Sequence, residues 1–367
     1  MKKFNVAKKI AKSVSDMSGY VPGEQPSDGG WVKLNTNEFP YPPSPRVKRA
    51  IVETVGKDGF GLRLYPDPAS STLRAQIAKY FGVPVEFAFA ANGSDDALNL
   101  AMRAFADGRM SAATIDPSYS LYPVIAKMQG AKLQQIPFGK NMEIPYAKIF
   151  KSKANIFFFT NPNAPTGVGY GADVVEKIAK KFKGIVLVDE AYAPFSGFSA
   201  TSLVQKYPNL LVIGTASKGW GLAGMRIGWA VANPAIIEVL DRVRDSYNLD
   251  RLSQVAGVAA LADKAYYEKL CAKIVAERGE TEKFFDKLGW GYFKSSSNFI
   301  LFTPKNSAGF SGARIAADLF NYLRGKKILL RYFPKNKIIN MSIRLSIGSP
   351  EQMKLFRAAA LKWSKIK

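Results

Sequence analysis

The sequence predicts an α/β protein: a mostly parallel central sheet with helices on both faces, followed by a smaller α+β domain. Three observations carry that prediction. A chain of 367 residues, 47% hydrophobic and 22% charged, is long enough for about two domains and a large buried core. Between about 46 and 245, short apolar runs alternate with helical patterns, the rhythm of a sheet covered on both faces. After a long helical stretch near 234–287, that rhythm gives way to strand, helix and strand.

Taken in order, residues 1–45 are expected to form an arm packing on the small domain and the functional site. Its start, "MKKFNVAKKIAKSVSDM", reads as a short amphipathic helix or arm; 20–45 is irregular and rich in Pro, Gly, Asn and Ser. In the large domain, 46–245, the strand "EFAFAA" precedes the helical "DDALNLAMRAFA", "AATIDP" precedes "YSLYPVIAKMQG", and "NIFFFTNP" precedes "ADVVEKIAKKF". The runs "GIVLVDEAY" and "NLLVIGTAS" continue the series. In the small domain, 246–367, "WGYFKSSSNFILFTP", "ARIAADLFNYLRGKKILLRYF" and "MSIRLSIG" read as strand, helix and strand.

Composition narrows the chemistry. The chain has no histidine, which removes Ser-His triads, imidazole acid–base catalysis and histidine metal sites together. With Cys271 as its single cysteine, no metal site is predicted. Catalysis must use Lys, Tyr, Asp, Glu or Arg, or borrow its chemistry from a cofactor. A lone cysteine also excludes an intramolecular disulfide and points to a cytoplasmic location. No apolar run approaches the roughly 18 residues of a membrane helix, and no secretory signal pattern is visible. Lys and Arg number 52 against 29 Asp and Glu, a net charge of +23. The cations are scattered, so a solvated basic surface that recruits anionic small molecules is expected, with only weak, salt-sensitive nucleic-acid association.

The stretch "SKGWGLAGMRIG" offers two chemistries. Gly219, Gly221 and Gly224 match a dinucleotide-binding turn, and a strand-like run precedes them. That fingerprint needs a helix opening at the third glycine. Here "MRIGWAVANP" follows and reads as a buried strand. The other reading is a reactive amine, Lys218, on a tight turn, with Thr215, Ser217 and Arg226 able to hold an anion. Four further segments suit a phosphate-bearing aldehyde. "NGSDDAL" places Gly93, Ser94 and Asp95 at a helix start, either a phosphate cup or an ordinary cap. Asp189 in "IVLVDEAY" ends a strand, where a carboxylate can face a pyridinium nitrogen or merely cap a helix. Tyr119 in "DPSYSLY" is a stacking ring or core. "NPNAPTG" is a turn whose amides can reach a phenolic oxygen.

These segments, with "LNTNEFPYPPSP", "YPDP", "RYF" and "IRLSIGSPE" in that order, resemble the fold-type I pyridoxal-phosphate aminotransferases, and closely the histidinol-phosphate aminotransferase family. The resemblance runs from about Tyr20 to the C-terminus. It implies pyridoxal 5'-phosphate as cofactor, held as a Schiff base by Lys218, which also shuttles the Cα proton. Asp189 would pair with the ring nitrogen, Tyr192 with the phenolic oxygen, and Tyr119 would stack on the ring. Gly93, Ser94, Asp95, Thr215, Ser217 and Arg226 would surround the phosphate, joined across a homodimer interface by Tyr65 of the second copy. Tyr20, Asn37, Arg331 and Arg344 would bind substrate, Arg331 as the phosphate-gripping arginine. One departure stands out: Ala164 occupies the position of an asparagine that bonds the phenolic oxygen in many members, and Asn163 sits one residue early.

The implied reaction is a ping-pong transamination of L-histidinol phosphate with 2-oxoglutarate. Alternatives on the same scaffold are an aromatic aminotransferase or a decarboxylase of a phosphorylated amino acid. Outside it stand a cofactor-sensing regulator, for which 1–19 is too short a DNA-binding domain, and a basic nucleic-acid-binding protein.

Overall fold

The structure is a computed structural model and describes residues 4–20 and 22–366; positions 1–3 and 21 of the expected arm, and position 367, lie outside the described residues. The arm contributes the short helix α1 (Lys12–Ser15) and the strand β1 (Val32–Lys33). Helices α2 (Pro45–Val55) and α3 (Ser71–Phe81) follow. The start of α2 is written locally: Ser44 accepts the Arg46 N–H, Pro45 opens the first turn, and Gly56 closes the helix at φ 70°.

A seven-stranded sheet then forms from β2 (Ala88–Ala91), β3 (Ala112–Asp116), β4 (Leu133–Pro137), β5 (Ile156–Thr160), β6 (Ile185–Asp189), β7 (Leu210–Thr215) and β8 (Gly228–Ala232). Its order is β2-β8-β7-β6-β5-β3-β4, and only β8 runs against its neighbours. The helices threaded between these strands are α4 (Ser94–Phe105), α5 (Leu121–Met128), α6 (Tyr146–Lys151), α7 (Ala172–Lys181) and the one-turn α8 (Ala216–Gly219). After the sheet come α9 (Pro234–Val243), α10 (Arg251–Ala262) and α11 (Lys264–Lys287). Every residue of β5 is buried, because alternate side chains meet different helices. Phe158 packs in the cluster of α4, α5 and α9, while Phe157 and Phe159 pack in that of α3, α7 and α10.

The second unit is an antiparallel sheet of β9 (Gly291–Tyr292), β10 (Phe299–Thr303), β12 (Arg331–Tyr332) and β13 (Ile343–Ser346), in the order β12-β13-β10-β9. Helices α11, α12 (Ala313–Gly325) and α13 (Pro350–Ile366) bury its core of Phe285, Trp290, Phe302, Phe356 and Trp363. Strand β11 (Ile328–Leu329) pairs in parallel with β1, which ties the arm to this unit.

One expectation changes. The helical stretch near 234–287 is three helices: Asn248 donates to the Ala90 carbonyl, and Asp250 caps α10 by accepting the Ser253 N–H. Beyond the changeover expected after 245, Leu249, Ala256, Ala260 and Tyr267 still pack in the core of the large sheet. The edge strand β4 and the last helix, α13, were not anticipated.

Candidate active site

The carboxyl ends of β3, β5, β6 and β7 lie along one edge of the large sheet, the position where open α/β sheets bind ligands. There a cavity of about 320 Å³ opens, closed on its other side by the arm and the four-stranded unit. Its wall includes Tyr20, Asn37, Ser94, Asp95, Tyr119, Asp189, Tyr192, Thr215, Ser217, Lys218, Arg226, Arg331 and Arg344, so most of the expected residues converge.

One end is a cup for an anion. Gly93 turns into α4 at φ 82°, and a Cβ there would stand 2.6 Å from Arg226 Nη2. Only glycine lets that guanidinium cross the mouth of the helix, whose first-turn N–H groups lack intrahelical partners. Arg226 itself takes the left-handed conformation, φ 51°, uncommon for a side chain of its size. Its Nη1 donates to Ser217 Oγ at 3.5 Å, and its Nη2 lies 3.5 Å from Asp95 Oδ2. Thr215 Oγ1 stands 2.9 Å from Ser217 Oγ and accepts the Ser217 N–H. Of the two carboxylates in the first turn of α4, Asp96 accepts the Asn92 N–H and Asp95, on the cavity wall, is engaged by Arg226 and by the Tyr119 hydroxyl at 3.2 Å. Two hydroxyls, a guanidinium and a helix N-terminus fit a phosphate.

Lys218 stands in the single turn α8, placed there because Thr215 caps it immediately after β7. Its Nζ donates to the Thr36 carbonyl at 3.1 Å. Burial, and then the positive charge of Arg344, lower the amine to about 8. A useful share is thus unprotonated near neutral pH, as a nucleophilic amine requires. No α-helix opens at Gly224; residues Ala223–Met225 form a single 3-10 turn leading into β8, which removes the dinucleotide reading.

Asp189 ends β6 and is 3% exposed. Tyr122 donates to its Oδ2 at 2.9 Å and the Ala191 N–H to its Oδ1 at 3.1 Å. Burial nevertheless raises its carboxyl to about 6. Tyr192, its phenol also pushed up by burial, receives the Asn37 Nδ2–H at 2.9 Å. Asn37 is held in turn by Ser346, its Oδ1 accepting from the Ser346 hydroxyl and its N–H donating to the same oxygen. Tyr119 meets Tyr20 edge-on at 6.1 Å.

The opposite end carries two guanidiniums. Arg344 donates to the Asn35 carbonyl at 3.0 Å and lies over the rings of Phe299 and Phe333, at 5.1 and 5.6 Å. Its buried Nε has no hydrogen-bond partner, which leaves a donor for an anionic ligand. Arg331 also lies over Phe333, at 5.6 Å, and donates to the Pro22 carbonyl.

Two expected residues stand elsewhere. Asn163 does not face the cavity: its amide donates to the Pro117 carbonyl, and its carbonyl oxygen accepts from Thr166. The wall position belongs to Ala164, so no amide from this turn replaces the missing asparagine. Tyr65 is 76% exposed and stacks on Tyr247, away from its own chain's cavity. Sequence reasoning missed Ser118, Thr160, Phe333 and the buried Tyr122; a hydroxyl residue at a strand end was the available signal for Thr160.

The family of class I and II aminotransferases matches residues 29–359. A histidinol-phosphate aminotransferase from Geotalea daltonii is 42% identical over 351 residues, 94% of this chain and 96% of its own length. The crystal structure of the histidinol-phosphate aminotransferase from Sinorhizobium meliloti, in complex with pyridoxal-5'-phosphate, gives a TM-score of 0.82 at 23% identity. It covers 91% of this chain and 90% of that one. An L-threonine-O-3-phosphate decarboxylase from Porphyromonas gingivalis shares the architecture at a TM-score of 0.76 and 20% identity, over 90% of this chain and 99% of its own. Architecture alone therefore does not choose the reaction. With its fold-type I architecture, its matched family span and its identity to a relative over nearly the whole length, the chain belongs to the class I and II aminotransferase family, alongside the histidinol-phosphate aminotransferases.

Proposed function

We propose that the protein is a pyridoxal-phosphate-dependent transaminase acting on L-histidinol phosphate, with 2-oxoglutarate as amino acceptor. One observation carries this reading: a depressed lysine amine, a strand-end carboxylate and an anion cup share one cavity with two arginines. Ser94, Ser217 and Arg226 would hold the cofactor's phosphate, Asp189 its ring nitrogen, Tyr192 its phenolic oxygen and Lys218 its aldehyde carbon. When bound, the cofactor supplies an electron sink that makes the Cα–H of an attached amine acidic. Lys218 Nζ would move the proton at Cα, its lowered basicity leaving it free to do so near neutral pH. Arg344 would bind the carboxylate of the keto acid and Arg331 the phosphate of the donor. Tyr20 would close over the same end.

The active unit is a homodimer in this reading. Tyr65 lies in an exposed run with Phe60, Leu62 and Leu64, an apolar segment suited to a second copy, whose phosphate cup Tyr65 would complete. The single cysteine, buried and unpaired, fits a cytoplasmic enzyme.

The test is the visible absorption of the purified protein. A yellow protein that bleaches with L-histidinol phosphate and recovers with 2-oxoglutarate supports the reading. A yellow protein indifferent to that donor redirects it to aromatic or phosphorylated amino acids. A protein that pyridoxal phosphate cannot turn yellow removes the role of Lys218.

A further inference from the structure

Behind Asp189 lies a line of hydroxyls that the proposed reaction does not use. Ser118 Oγ, after β3, is 3.2 Å from Thr160 Oγ1 at the end of β5. Thr160 Oγ1 is 2.5 Å from the Tyr122 hydroxyl in the first turn of α5, which donates to Asp189 Oδ2. Counting protons gives the line a direction. An ionised carboxylate only accepts, so the single phenolic proton of Tyr122 goes to Asp189. The Thr160 proton then goes to Tyr122, and the Ser118 proton to Thr160. Tyr122 is fully buried, so its hydroxyl has no water to fall back on.

We propose that Tyr122, oriented by Thr160 and Ser118, is a positioning residue that holds Asp189 in its ionised form and thereby sets the pH range over which the cofactor binds. The inference rests on the cofactor reading given above. Around Asp189 the balance of charges is narrow. Asp95 from α4 opposes its ionisation, as does burial, while Lys218 from α8 favours it; the adjoining Glu190, pushed up to about 7 by its own burial, stays protonated over the range in which Asp189 titrates. Tyr192 faces it as a neutral phenol from the same loop. Glu190 is occupied elsewhere, accepting from Ser199 and from the Ala200 N–H. Apart from the Ala191 N–H, Tyr122 is the hydrogen-bond donor to the Asp189 carboxylate among the described residues. Removing it favours the protonated carboxyl, which cannot serve as the anionic partner of a pyridinium.

The experiment measures the dissociation constant of pyridoxal 5'-phosphate, from the visible absorbance of the bound cofactor, between pH 5 and 9. In the parent, affinity should decline as pH falls towards about 6. In Tyr122→Phe the decline should begin at higher pH, leaving binding roughly tenfold weaker near pH 6 and close to the parent at pH 9, the loss expected for one hydrogen bond to a charged group. Thr160→Val should move the curve the same way by less, and Thr160→Ser should restore it. Superimposable curves for parent and Tyr122→Phe, or a loss equal at every pH, would mean that Tyr122 only fills space, and the inference would fall. A parent that never develops the visible band would remove the cofactor reading first, and this inference with it.

Discussion

At the Asp189 end of the cavity, the groups that face a ligand stand on a strand end, a helix's first turn or a turn between strands of the large sheet. At the Arg344 end they come from the arm and the four-stranded unit, and Arg344 is held over the rings of Phe299 and Phe333 as well as by its hydrogen bond to the Asn35 carbonyl. The first arrangement fixes each Cα through sheet and helix hydrogen bonds, and Gly93 and the left-handed Arg226 leave little freedom to change it. That suits a group which stays in place. Stacking fixes the plane of a guanidinium yet leaves its N–H edge available, so the same arginine can meet anions of different shape. Such a division fits a ping-pong enzyme, where one partner remains and two substrates alternate.

The sharpest way to break the comparison is at its fixed end. Lys218→Ala should reduce transamination by roughly 10⁴-fold or more, since in the proposed reading it removes both the amine that would hold the cofactor and the group that would move the Cα proton. The visible band of the bound cofactor should vanish with it. Retention of that band would place the attachment at another lysine. The next largest effect belongs to the other end. Arg331→Ala should lower kcat/KM for L-histidinol phosphate by roughly 100-fold, the loss of a charged hydrogen-bonding partner. Donors without a phosphate should lose far less. Equal losses for every donor would make Arg331 part of the framework.

The same contrast explains what was legible in the sequence. Asp189 ends a run whose apolar pattern announces a buried strand, and Lys218 and Tyr192 each follow such a run by three residues, so their positions have little freedom. The turn 161–167 is different. Which of Asn163 and Ala164 faces inward depends on the Pro117 carbonyl, a partner from a distant part of the chain. Tyr122 stood out from nothing in its run, because no local pattern tells a core tyrosine from one whose hydroxyl meets a carboxylate on a neighbouring strand. The break between α9 and α10 was hidden for the same reason, since Asn248 reaches across to Ala90. The stacking of Arg344 on Phe299 depends on the register of β10 against β13, which periodicity does not reveal.

The smallest expected effect tests whether the two ends communicate. Burial and then Arg344 hold the Lys218 amine down to about 8. In cofactor-free protein, the rate at which pyridoxal forms its visible adduct should follow the unprotonated fraction of Lys218, rising with pH and levelling above about 8. Arg344→Gln removes a cation that disfavours the protonated amine, so the midpoint must move upward. Burial is the larger cause and survives the substitution, so the midpoint should still lie below that of an ordinary lysine. Pyridoxal lacks the phosphate, which keeps the cup out of the measurement and isolates the charge effect. Raising the ionic strength should change the shift little, because the two cations face each other across a buried cavity where mobile salt screens poorly. An unchanged midpoint would show that the arginine end acts on substrates alone, and that burial by itself tunes the lysine.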